Sequence, residues 1–193
     1  MVITCNIRRY RSSGEKMVKQ DSKNDTEMNL LNLLLEDPTI SINEMAKKLN
    51  INRQTVWRIK KKLEKNRKIW GYTAIIDRCK LNERAYLVFG KTKPINKRFL
   101  DTLLNRILGN KPYLKNIRTL DMFYVSGDYD WILRFSAPDH LTAKKYVNTL
   151  RETYADQLLE RPLLVDIDFC LIAEGKKNPE LKKLYDFIPN IED

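Results

Sequence analysis

A single histidine, His140, is all this sequence offers for imidazole chemistry, which removes most metal sites and nucleophile–base triads. Cysteine is nearly as sparse. Cys5, Cys79 and Cys170 are odd in number and far apart, so neither a disulfide framework nor a C-x-x-C zinc site is on offer. No metal and no cofactor is expected. Long apolar runs are missing too; none approaches the roughly 20 residues that a bilayer span needs. The opening stretch "MVITCNIRRYRSSGEKMVKQ" has too short an apolar segment for a signal peptide, and a soluble, cytoplasmic protein is the expectation. Internal repeats and low-complexity tracts are absent, as are a P-loop, a dinucleotide fingerprint and a paired-carboxylate cleft.

Acidic residues are scarce in one place above all. From Lys47 to Lys68 there are ten basic residues and one acid, Glu64, within a formal net charge of +11. Like charges at i,i+4 on a helix repel by a few tenths of a kcal/mol per pair, about 0.2–0.5, so this cluster works against its own helix. A Lys- and Asn-rich composition spread over solvated faces explains a high net charge, but not this clustering. A polyanionic partner explains both.

The pattern around the cluster is helical. Met28, Leu30, Leu31, Leu34 and Leu35 give a first helix an apolar side from about Thr26 to Glu36, and Pro38 stops it. "SINE" is a capping box, Ser41 with Glu44, opening a second helix over about Ile42–Leu49 that buries Met45, Ala46 and Leu49. Asn52 is a good N-cap for a third helix, about Arg53 to Lys65. Val56, Ile59 and Leu63 face its core, so Arg53, Gln54, Trp57, Arg58, Lys61 and Lys62 point away. Two short helices joined by a tight turn, the second with an outward basic and amide face, make a helix-turn-helix.

On that face Arg53 and Arg58 suit guanine edges, Gln54 suits adenine, and Thr55 suits a phosphate or a thymine methyl. Lys60, Lys61, Lys62, Lys65 and Lys68 suit phosphates, which position without reading sequence. Ser41 and Asn52, at the starts of the second and third helices, complete the candidate DNA contacts. Trp57 serves a base, a partner chain or the "IWGY" segment equally well.

Past "IWGY" the texture changes. "GYTAIID" reads as an extended connector, "AYLVFGKT" (85–92) as a buried strand, and 96–110 as a helix with Phe99, Leu100, Leu103, Leu104, Ile107 and Leu108 inward. "IRTLDMFYVSG" and "DYDWILRFS" are strands meeting at a Gly127-Asp128 hairpin. A helix with Ala143, Val147, Leu150 and Tyr154 in register follows, then "LLVDIDFCLIA" (163–173) as one alternating strand, and a short helix and tail. The order β-α-β-β-α-β is the ferredoxin-like split unit. The fold class is α+β. The expected organisation is a basic flexible tail (1–24), a helix-turn-helix domain (25–70), an extended hinge connector (71–84), a ferredoxin-like effector and oligomerisation domain (85–175) and a C-terminal extension (176–193).

The stretches "ISINEMAKKLNINRQTV" and "TVWRIKKKLEKNRKIWGYTAIID", followed by "VSGDYDWIL", resemble the Lrp/AsnC family of transcription regulators over about residues 25–175. The match departs from the family pattern at "NRKIW" and "ERPLL", and the basic tail and the segment after Gly175 are extra. The resemblance implies a sequence-specific double-stranded DNA-binding regulator with a winged-helix-like N-terminal domain. It also implies homodimers or higher homo-oligomers, and an amino acid or similar small molecule as effector. Ser126, Gly127, Asp128, Tyr129 and Asp130 are then the candidate effector contacts. Gly127 lets a carboxylate approach backbone amides, and Asp130 suits an α-ammonium group. The ordinary alternative is a hairpin glycine with Asp130 decorating its edge. Two other readings compete: an enzyme like the architecturally related siroheme decarboxylases, and an oligomeric effector module that does not bind DNA. The lone His140, beside a helix start, argues against the first, and the basic helix argues against both.

Overall fold

A computed structural model describes the chain over residues 14–109 and 114–189, and residues 14–24 by backbone alone. It divides into two compact units that meet between Ala74 and Ile75.

The first unit has three helices, α1 (Gly14–Glu36), α2 (Ile42–Leu49) and α3 (Arg53–Lys65). Helix α1 starts at Gly14, well before the expected Thr26, which corrects the flexible tail over residues 14–24. That stretch has no apolar rhythm, yet Glu, Lys, Met and Gln are good helix formers and no proline interrupts them. Residues 1–13 lie outside the described residues. At the other end Asp37 caps the turn, its carboxylate accepting from the Thr39 amide at 2.8 Å, and Pro38 forbids continuation. The capping box forms as expected: the Glu44 amide donates to Ser41 Oγ at 3.2 Å and the Ser41 amide to Glu44 Oε2 at 3.1 Å. Asn50, in the left-handed region at φ 50°, ends α2, and Asn52 caps α3 by accepting from the Gln54 amide at 2.7 Å.

Leu30, Leu34, Ile40, Met45, Val56, Ile59 and Leu63 form the core of this unit. Of the apolar side of α1, only Leu30 and Leu34 are buried. Met28 and Leu35, expected inward, are exposed. The reason is geometric: two short helices cover one narrow stripe of α1, not its full apolar arc.

The second unit opens with an irregular connector and a short 3₁₀ turn at Cys79–Leu81. Strands β1 (Arg84–Gly90), β2 (Arg118–Tyr124), β3 (Trp131–Ala137) and β4 (Leu163–Ile167) form an antiparallel sheet in the order β2-β3-β1-β4. With α4 (Lys97–Leu108) between β1 and β2, and α5 (His140–Thr153) between β3 and β4, this is the ferredoxin-like arrangement. Tyr86, Val88, Leu133, Phe135 and Ala137 pack with Ala143, Tyr146, Val147 and Leu150 of α5. On the opposite face the register sets Phe123 beside Ile132 and Phe89 beside Leu163. Phe123, Leu163 and Val165 are exposed there.

Two expectations fail in this unit. The sequence period puts six apolar residues of α4 inward, but Leu100, Leu104, Ile107 and Leu108 are exposed and the described core cluster draws no residue from α4. Helix α5 covers the inner face, and α4 meets its end where Phe99 packs edge-on against Tyr154 at 5.6 Å. The strand expected over 163–173 stops at Ile167. Ile172–Ala173 (β5) instead pairs with Lys176–Lys177 (β6) around Glu174 and Gly175, whose φ angles of 48° and 75° make the turn. Beyond it a 3₁₀ segment, Leu181–Phe187, is fastened back by Glu180, which accepts from Lys80 at 2.8 Å.

Candidate nucleic-acid interface

Burial of Val56, Ile59 and Leu63 decides what α3 shows to solvent: Arg53, Gln54, Trp57 and Arg58 are all exposed. The turn at Asn50–Asn52 brings the start of α2 against this face. Ser41, Ile42 and Asn43 join Arg53, Gln54 and Trp57 around an open cleft of about 470 Å³. Ile42 and Asn43 were not foreseen from the sequence. Their signal was the capping box, which fixes the start of α2, but only the turn geometry brings that start beside α3.

Around the cleft, several side chains are already engaged. The Ser41 hydroxyl sits against Glu44 Oε2 at 2.9 Å as well as capping the Glu44 amide. The Asn52 carboxamide oxygen holds the Gln54 amide. Thr55 is half-buried, and its hydroxyl accepts from the Arg58 guanidinium at 3.4 Å, which steadies Arg58 along the exposed face. Among the described residues, neither Arg53 nor Arg58 meets an acidic side chain.

The lysines differ. Lys62 donates to Glu27, on α1, and Lys68 reaches the other oxygen of the same carboxylate at 3.3 Å. Glu27 is only 5% exposed, and the Lys62 contact, reinforced by Lys68, holds its carboxyl below the usual range despite burial. Lys61 pairs with Glu64 at 3.0 Å, Tyr72 donates to the other Glu64 oxygen at 3.3 Å, and Lys60 lies over the Tyr72 ring at 4.9 Å. Lys61 first, then Tyr72, keep the Glu64 carboxyl low as well. Lys61, Lys62 and Lys68 keep at least half of their side-chain surface exposed, yet each is also paired with an acid. For Lys62 and Lys68 the partner is the buried Glu27, whose carboxylate would be costly to leave unpaired.

The candidate effector residues lie in the other unit, on the β2–β3 hairpin. Ser126, Gly127 and Asp128 are exposed, and Gly127, at φ 153°, has open space where a Cβ would stand. Tyr129 packs on Phe89 with ring centres 5.3 Å apart, and Lys91 sits 5.4 Å over it. Asp130 is tied to β1: its amide donates to the Gly90 carbonyl at 3.0 Å and its Oδ2 accepts from the Thr92 amide at 2.6 Å. This is more than an edge decoration. Asp139 caps α5 by accepting from the Thr142 amide at 2.7 Å, and His140 Nδ1 lies 3.2 Å from Asp166.

Comparison with known proteins defines the class. Residues 23–69 match the family described as winged helix-turn-helix DNA-binding. Over those residues the chain is similar to a winged helix-turn-helix domain, and an α+β sheet domain follows it. Among solved structures it is similar to LrpC of Bacillus subtilis (17% identity, TM-score 0.56, covering 76% of this chain and 95% of that one). It is similar to an AsnC-family transcriptional regulator from Agrobacterium tumefaciens (21%, 0.57, 83% and 97%). A third is a transcriptional regulator of Neisseria meningitidis in complex with L-Met (15%, 0.60, 77% and 91%). No curated protein matches the chain. The fold is that of the Lrp/AsnC regulators, in agreement with the sequence resemblance.

Proposed function

We propose that this chain is a sequence-specific double-stranded DNA-binding transcription regulator, and not an enzyme. The observation that carries the reading is the exposed row Arg53, Gln54, Trp57 and Arg58 on a helix whose opposite side is fully buried. Arg and Gln are the side chains that pair bidentately with guanine and adenine edges in the major groove, and α3 is of a length to lie there. Selection of bound fragments from random duplex DNA tests it: a defined motif is expected, and recovery of random sequence overturns it.

The same reading makes the chain a homodimer or higher oligomer. The outer sheet face, with Phe123, Leu163 and Val165 exposed, supports pairing with a second copy. An amino-acid effector at the Ser126–Asp130 hairpin is part of the proposal, and the L-Met complex of the Neisseria regulator supports it by analogy. We also propose the division into a helix-turn-helix domain (25–70), a hinge (71–84), an effector domain (85–175) and a C-terminal extension (176–193). No described helix is long and apolar enough to cross a membrane, which is compatible with a cytoplasmic location.

A further inference from the structure

The cleft beside α3 invites the question of what DNA group enters it. A phosphate would find Arg53 at the cleft, but neither the Ser41 nor the Gln54 amide free to hold it. The amide of Ser41 donates to the carboxylate of Glu44, so the start of α2 already holds an anion. The Gln54 amide, at the start of α3, is taken by Asn52. Ser41, Asn43, Arg53 and Gln54 line the cleft with Ile42, and its largest wall is Trp57, an indole left 52% exposed on an otherwise polar face. Large apolar surface in that position loses free energy until something dry covers it.

The major groove of DNA offers one aliphatic group, the 5-methyl of thymine. We infer that Trp57, with Ile42, receives the methyl edge of a thymine and so favours an A·T pair at that position. Gln54 lines the same cleft and has the donor–acceptor pair that suits adenine, so it reads the partner base or its neighbour. Thr55, the residue whose methyl and hydroxyl suited this task on sequence grounds, is half-buried and bonded to Arg58, which leaves the role to Trp57. The inference rests on the DNA-binding reading and adds to it a base class and the residue that recognises it.

Deoxyuridine substitution separates the two. In a duplex carrying the selected motif, each thymine is replaced in turn by deoxyuridine, which lacks only the methyl. At one position per half-site, affinity of the full chain should fall about 4-fold, the value of one buried carbon group. Trp57→Ala should bind the thymine duplex more weakly and show no penalty for deoxyuridine. Its salt dependence should match the wild type, because no phosphate contact is lost. Trp57→Phe, which keeps an apolar wall, should retain part of the penalty and shows that the effect is not one of folding. Salt-dependent binding without any deoxyuridine effect overturns this inference and leaves the DNA reading standing. A Trp57→Ala protein that keeps the penalty but dissociates into monomers also overturns it, and assigns Trp57 to a second copy. Absence of any salt-dependent DNA binding by the wild type ends both.

Discussion

Arg58 and Glu27 show how differently two charged residues of one small domain are used. Arg58 is exposed, steadied by Thr55 and without a described acidic neighbour. Arg58→Ala should weaken binding of the selected duplex by roughly 1–3 kcal/mol and relax preference at a single base pair, measured by titration against a panel of point-variant sites. Glu27 is buried and draws on two lysines of the basic cluster. Glu27→Gln removes charge-assisted bonds and should destabilise the first unit by about 1.5–3 kcal/mol. It also frees Lys62 and Lys68, so the log–log salt slope of DNA binding should steepen by about 0.9 for each lysine that reaches a phosphate. The sign of the pH effect follows from the lowered pKa. Stability from ionised Glu27 is complete above its ordinary value of 4.5 and is lost as pH falls from there through the lower folded value. Wild-type melting temperature should therefore drop more steeply than that of the Gln variant between about pH 5 and 3.

At the scale of elements, close approach and shared hydrogen bonds join β1 to the β2–β3 hairpin. A Cβ on Gly90 would lie 2.2 Å from the Trp131 indole, so the strand needs glycine there to let the ring lie across it. Gly90→Ala should displace Trp131 and cost about 1–3 kcal/mol, read by denaturant unfolding and a shift in indole fluorescence. Asp130 closes the same corner through the Thr92 amide. Asp130→Ala should cost about 1–3 kcal/mol and speed hydrogen exchange at Thr92. Unchanged protection at Thr92 would mean that the carboxylate has no such structural duty. A thermal-shift screen of the twenty amino acids, on wild type and variant, then tells whether Asp130 also serves an effector.

For the whole molecule, a single three-helix module reads only a few base pairs, so specificity needs two modules. A two-fold dimer should protect a pseudo-palindrome with half-sites about 10 bp apart, or a multiple. Sedimentation as a monomer at micromolar concentration, with a footprint of one half-site, would sink the dimer. The outer sheet face gives a handle: Phe123→Glu should shift the equilibrium toward monomer while leaving the melting of the inner core nearly unchanged, since Phe123 is 51% exposed.

Much of this was written in local chemistry. The capping box at Ser41–Glu44, the Asn52 cap and the Pro38 stop are decided within four residues, and they set the bounds of α2 and α3 without help from the rest of the chain. The inward row Val56, Ile59 and Leu63 follows from helical period alone, and so does the outward row opposite it. The β-α-β-β-α-β order was equally legible, because alternation and periodicity are local patterns. What the sequence by itself left undecided depends on partners far along the chain. Glu27 lies 35 residues from Lys62, and nothing local says that a carboxylate on α1 will take two lysines from the basic cluster. Periodicity marked every apolar stripe as inward, yet α4 and the flank of α1 stay exposed, because how much of a stripe is buried depends on how many neighbours reach it. The run after Ile167 alternates like a strand, but pairing past the fifth row continues only where β1 has residues left to meet it, and Ala85, opposite Ile167, is next to the end of β1. Local periods determine which element forms; only tertiary contact decides which of its faces is covered and which charges remain for a partner.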